Sequence, residues 1–214
     1  MKISKIIVLF FVLFAFFGCA TKSKEVYNKP ALYWYGEIIK KIKDYDLEEA
    51  DNLYTSLSSE HVSSPLLPEV MIILAQAHME EEEYLLANFY LDEYIKRFGT
   101  TKRSEYARFM KIKANFESFP NPNRNQQLLL DTMKQTRDFI DRYPDSQFKP
   151  MVETMYVKLR LGNYFMIKNI ADLYTRIDKP IAAQIYQEKF DNSLLKDAKM
   201  IKPHIPWYRS WFEE

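Results

Sequence analysis

Two stretches of the chain share one spacing of large and small residues. Trp34, Leu47, Ala50, Tyr54 and Leu57 are separated by 13, 3, 4 and 3 positions. Met71, Tyr84, Ala87, Leu91 and Tyr94 repeat those separations 37 residues further on. Steps of three and four place side chains on one face of a helix. Antiparallel helices approach closely only where one presents a small side chain, and Ala50 and Ala87 supply it. A period of this length marks stacked helical hairpins, each burying its apolar face against the next. Glycine scarcity points the same way. Only Gly18, Gly36, Gly99 and Gly162 occur, which argues against phosphate loops, dinucleotide fingerprints and hairpin-rich β folds.

The pattern resembles the tetratricopeptide (TPR) repeat, with a slightly long linker at Ser63-Ser64-Pro65. A third unit is modified. Arg97-Phe98-Gly99 corresponds to Arg142-Tyr143-Pro144, an offset of 45, and the extra length falls in the loop-like run from Phe119 to Asn125. Thr132 and Thr136 stand at its packing positions. A fourth unit carries Ile167, Ala171, Tyr174, Pro180, Ala183 and Phe190, with Pro180 suited to a first helical turn. The spacing predicts helices near 31–43, 47–60, 66–80, 83–98, 102–117, 125–143, 147–177 and 180–192. The fold class is all-α: a TPR-like α-solenoid of about four helical hairpins over 30–192, with a long helix in the C-terminal half. Gly162-Asn163 is the place in that helix for a kink. No long stretch alternates with period two, so no sheet is expected.

Residues 1–18 read as a signal segment ahead of the fold. Lys2 and Lys5 precede the unbroken apolar run Ile6–Phe17. As a helix that run covers roughly 18 Å, short of a ~30 Å hydrocarbon core. Gly18-Cys19 follows, and the arrangement resembles a bacterial lipobox, in which the cysteine thiol receives a diacylglyceryl group. Phe16 and Phe17 depart from the usual pattern. The competing reading is an accidental cysteine. Ala20 and Thr21, with no Asp after the cysteine, favour the outer membrane by resemblance to enteric lipoproteins. Losing Lys2 and Lys5 leaves 28 basic against 29 acidic residues, a net charge near −1 that gives no reason to bind nucleic acid. Residues 19–29 read as a lipidated cysteine and flexible tether.

No constellation carries covalent chemistry. Glu80-Glu81-Glu82-Glu83 reads as a solvated turn, and His78 as a packed residue. His61 and His204 lie in loops without metal-ligand spacing, so neither a metal site nor a cofactor is expected. What remains is a surface for binding. In TPR arrays the first helix of each hairpin lines the concave face, where extended peptides bind. The candidates are Leu32, Tyr35, Ile39 and Ile42 in the first unit, Glu69, Ile72, Gln76 and Met79 in the second, and Phe109 and Lys113 in the third. A phase shifted by one would make the same positions core. In Tyr33-Trp34-Tyr35, Trp34 takes the packing position and Tyr35 the groove.

Three segments carry a closer resemblance: Tyr106–Phe116, the run Arg142-Tyr-Pro-Asp-Ser-Gln-Phe148, and Ile170–Tyr174 with Pro180–Ala183. With the lipobox and repeats, the chain resembles the BamD (ComL) family over about residues 19–192. These are lipoprotein subunits of the machine that assembles β-barrels in the bacterial outer membrane. The resemblance implies a non-enzymatic scaffold, lipid-anchored at Cys19 on the periplasmic face. Its partners would be unfolded outer-membrane protein segments, the central β-barrel subunit and the lipid bilayer. An alternative is a peptidoglycan-associated lipoprotein acting in competence or envelope maintenance. An accessory module of a cell-wall hydrolase would need a catalytic domain that is missing from the sequence. The family's usual fifth hairpin has no counterpart, because Pro203 and Pro206 interrupt residues 193–214. Trp207, Tyr208, Trp211 and Phe212 instead form an aromatic tail. Trp207 and Trp211 either dock back on the last helices or anchor a partner.

Overall fold

The computed structural model describes residues 27–119 and 125–196, and all regular structure among them is helical. Eight helices follow one another: α1 Ala31–Lys43, α2 Leu47–Glu60, α3 Leu67–Glu80, α4 Tyr84–Phe98, α5 Thr101–Glu117, α6 Gln126–Arg142, α7 Lys149–Arg176 and α8 Pro180–Asp191. They pack as hairpins α1–α2, α3–α4, α5–α6 and α7–α8, each laid against the next. None among the described residues is long and apolar enough to cross a membrane.

Local chemistry sets the ends. Asp46, Thr100 and Asn125 cap α2, α5 and α6 through side-chain oxygens that accept from the N–H groups of Glu49, Arg103 and Leu128. Pro68, Pro150 and Pro180 occupy first turns, where a missing N–H costs nothing. Pro150 explains why α7 begins at Lys149 and not at Gln147. The helix then runs unbroken through Gly162-Asn163 to Arg176.

Three hairpin turns share one geometry. Tyr45, Glu82 and Asp178 have φ of 58°, 61° and 53°, each two residues before the second helix begins. The Asp46 N–H donates to the Lys41 carbonyl and the Tyr45 N–H to that of Ile42; Glu83 and Glu82, then Lys179 and Asp178, repeat the pattern. These are Schellman closures, normally built on glycine.

The core runs through the hairpins. Trp34, Ile38, Leu57, Met71, Leu74, Leu91, Ile112, Phe139 and Val152 belong to one buried cluster. Ala50 and Ala87, at the two helix crossings, have no exposed surface. Fully burying a large aliphatic side chain stabilises by about 1.5–3 kcal/mol. A smaller cluster of Leu129, Leu159 and Met166 holds the later helices. Thr132 and Thr136 are buried, and their hydroxyls donate to the carbonyls of Leu128 and Met133 at 2.7 Å. The end of the expected tether is tied down: the Asn28 N–H donates to Glu60, and the His61 ring lies 2.6 Å from the Lys29 carbonyl. Trp34 Nε1–H donates to the same Glu60 carboxylate at 2.8 Å.

Candidate functional site

The first helices of the hairpins meet along one face. The Tyr35 hydroxyl on α1 donates to Glu69 on α3 at 3.2 Å. Gln76 on α3 donates to the Tyr106 hydroxyl on α5 at 2.8 Å. Beyond that bond opens a groove of about 660 Å³, where α3, α5 and the start of α7 contribute Gln76, Met79, Tyr106, Phe109, Lys113 and Met151. Tyr106, Phe109, Met110, Lys113 and Glu117 share one face of α5 by helical spacing. The floor is thioether and aromatic, the rim amide and charge. Such a surface suits an extended chain that offers apolar side chains and backbone polar groups.

Sequence candidates are distributed unevenly over it. Gln76, Phe109 and Lys113 come together at the groove, as does the buried Met79. Phe109 is itself buried and stacks on Phe148 at 4.4 Å with ring planes 10° apart, so it forms floor and does not project. Lys113 lies 3.7 Å from Glu117 and stays half-exposed. Tyr35, Ile39 and Ile72 are half-buried on the same row of helices, outside that groove. Ile42 packs against the core, Glu69 is exposed, and Leu32 projects with 70% of its surface exposed. Tyr106, Met110 and Met151 were not foreseen as lining. Tyr106 was legible three and seven residues before Phe109 and Lys113, but Met151 arrives from another hairpin. Cys19, Trp207 and Trp211 lie outside the described residues.

Electrostatics concentrate elsewhere. His78, fully buried between α2 and α4, has Glu83 2.6 Å from Nδ1 and Asp51 3.1 Å from Nε2. The Tyr90 hydroxyl donates to that same Asp51 oxygen at 2.6 Å, and its ring stacks on the imidazole. Burial pushes the Tyr90 hydroxyl far up, reinforced by Asp51. The cluster ties the first hairpin to the second. Among the described residues, no group of three His, Cys, Asp or Glu side chains is placed to hold a metal ion.

Residues 27–190 match the family described as YfiO, outer membrane lipoprotein. A protein of Helicobacter pylori named outer membrane protein assembly factor BamD is 44% identical over 193 residues, covering 89% of this chain and 88% of the relative. The chain belongs to the BamD family. A BamD of Caulobacter vibrioides is more distant, 24% identical over 135 residues, with 61% of this chain and 44% of that protein covered. The BamD family match takes in all eight helices but for the last residue of α8, so the groove and the His78 cluster both lie inside it.

Proposed function

We propose that this chain is an outer-membrane protein assembly factor that works by binding, with no covalent step of its own. An acylated Cys19 holds it on the periplasmic face of the outer membrane, with two or more acyl chains giving a stable anchor. The groove of Gln76, Tyr106, Met110 and Lys113 receives an extended segment of an unfolded outer-membrane protein. The C-terminal half docks the central β-barrel subunit. The groove is the observation that carries this reading, because a concave apolar floor with a polar rim is otherwise left unfilled.

Photocrosslinking tests it. A photoreactive residue at Lys113 or Gln76 should capture unfolded outer-membrane protein chains, while one at Lys96, 76% exposed on α4, should not. Equal capture at all three positions overturns the groove. Affinity purification from solubilised membranes should bring down the barrel subunit. Recovery of peptidoglycan in its place would favour the envelope-maintenance reading. Cys19→Ala should abolish fatty-acyl labelling and release the protein from the membrane; unchanged labelling would sink the anchor.

A further inference from the structure

Helix α5 has a second working face. Arg108, Lys111, Ile112 and Asn115 recur at helical spacing on the side away from Tyr106, Met110 and Lys113. Between α4, α5 and α6 that side encloses a cavity of about 260 Å³. Ile112 and Phe139 floor it, and Arg108, Gln135, Asp138 and Arg142 wall it.

Most polar groups around the cavity are satisfied. Lys111 Nζ is engaged with both oxygens of Asp92, at 2.5 and 2.7 Å. Asn115 donates to Gln135 at 2.9 Å and accepts from Asn88 at 2.7 Å, a ladder across three helices. Asn88 Oδ1 is a buried acceptor without a partner, and Arg108 is the buried donor so left among the described residues. Its Nε is buried and has no hydrogen-bond partner. A buried N–H donor without an acceptor is costly and rare in native proteins. Arg142, exposed in the last turn of α6, has no ion pair or hydrogen bond among the described residues. With Lys111 and Asp92 neutralising each other, two guanidinium groups face one carboxylate, Asp138.

We propose that this cavity binds a carboxylate: the aspartate or glutamate side chain of a partner polypeptide, entering opposite the groove. The planar pair of oxygens fits side-on against the Nε–H and one Nη–H of Arg108, and Arg142 supplies the second positive charge. Asp138 selects for a monoanion, since a phosphate dianion would meet its repulsion. The apolar floor accommodates the methylene stem of the side chain. The volume falls below the ~300–1,000 Å³ of pockets for drug-sized ligands, which suits one inserted side chain. Nothing here depends on what the groove binds.

The test uses the ¹⁵N-labelled full chain in detergent and observes the arginine Nε–H resonances. The probes are a capped leucine–glutamate–leucine tripeptide, its glutamine counterpart and inorganic phosphate. The glutamate peptide should move the Arg108 resonance downfield to saturation, and the other two should not. Arg142→Gln should weaken binding about tenfold, equivalent to ~1.4 kcal/mol, with the Arg108 signal still reporting. Arg108→Lys keeps the charge but loses the fork, so it too should weaken binding about tenfold, followed through the Gln135 amide. Overturning results are an Arg108 resonance that stays put, equal shifts with the glutamine peptide, or Arg108→Lys binding as tightly as the parent. Equal saturation by phosphate would make this a general anion site and defeat the carboxylate assignment. Should Arg108→Lys fail to fold by circular dichroism, Arg142→Gln decides: unchanged affinity overturns the proposal.

Discussion

The buried His78 ring holds a carboxylate at each nitrogen and the Tyr90 ring against its face, while Asp51 and Glu83 keep part of their surface in water. Burial works against its positive charge, but the hydrogen bonds to Asp51 and Glu83 outweigh it and hold the pKa above the ordinary 6.5. The sign follows from linkage: a raised folded pKa means the stabilisation is complete below about pH 6.5 and is lost as pH rises through the folded value. Melting temperature, followed from mildly acid to alkaline pH, should therefore fall, and His78→Gln should flatten that slope. At acid pH the substitution should cost about 1–3 kcal/mol, because Asp51 and Glu83 each lose a charge-assisted hydrogen bond. The sequence marks His78 as a packing position, but it does not single out Glu83. Four successive glutamates are equivalent to any periodicity. Only the left-handed turn at Glu82 decides that the next carboxylate faces inward.

Helices are the most legible level of this chain. α1 and α2 begin and end where the spacing puts them, because Pro30, Asp46 and the 3–4 rhythm act within one turn of the chain. The serine loops are also paired. Ser64 and Ser146 each accept an N–H bond two residues on, from Leu66 and Phe148, just before a proline-bearing first turn. The turns inside the hairpins are less legible, since a left-handed residue calls for glycine and the chain uses Tyr45, Glu82 and Asp178. Left-handed backbone costs an L-residue about 1–2 kcal/mol, against about 0.4–1 kcal/mol that glycine loses through a freer unfolded chain. Tyr45 is 80% exposed, so its side chain contributes little burial. Tyr45→Gly should raise stability by up to about 1 kcal/mol, read as a higher denaturant midpoint with an unchanged slope. A lower midpoint would mean the tyrosine makes contacts that outweigh its strain.

At the scale of the whole molecule, burial thins along the described residues toward residue 196. α8 has no fully buried side chain, and Ile181 and Leu194 are 78% and 87% exposed. A solenoid end needs a cover for its apolar face. Residues 203–214, with Trp207 and Trp211, are the proposed cover. Deleting them should lower the melting temperature by about 2–4 °C for each kcal/mol of lost burial. If the melt is unchanged while the barrel subunit no longer co-purifies, the tail anchors a partner and caps nothing. The groove was legible only in part, through Gln76, Met79, Phe109 and Lys113, and the second cavity not at all, because each is closed by helices from different hairpins whose relative placement no local spacing encodes. Their common wall has a consequence of its own. α5 presents Tyr106, Met110 and Lys113 to one cavity and Arg108, Lys111 and Ile112 to the other. A helix in a close-packed array moves as a rod, so a ligand that shifts it on one side reshapes the other. Thermodynamic reciprocity then fixes the bookkeeping: whatever factor one occupant applies to the affinity of the second, the second applies to the first.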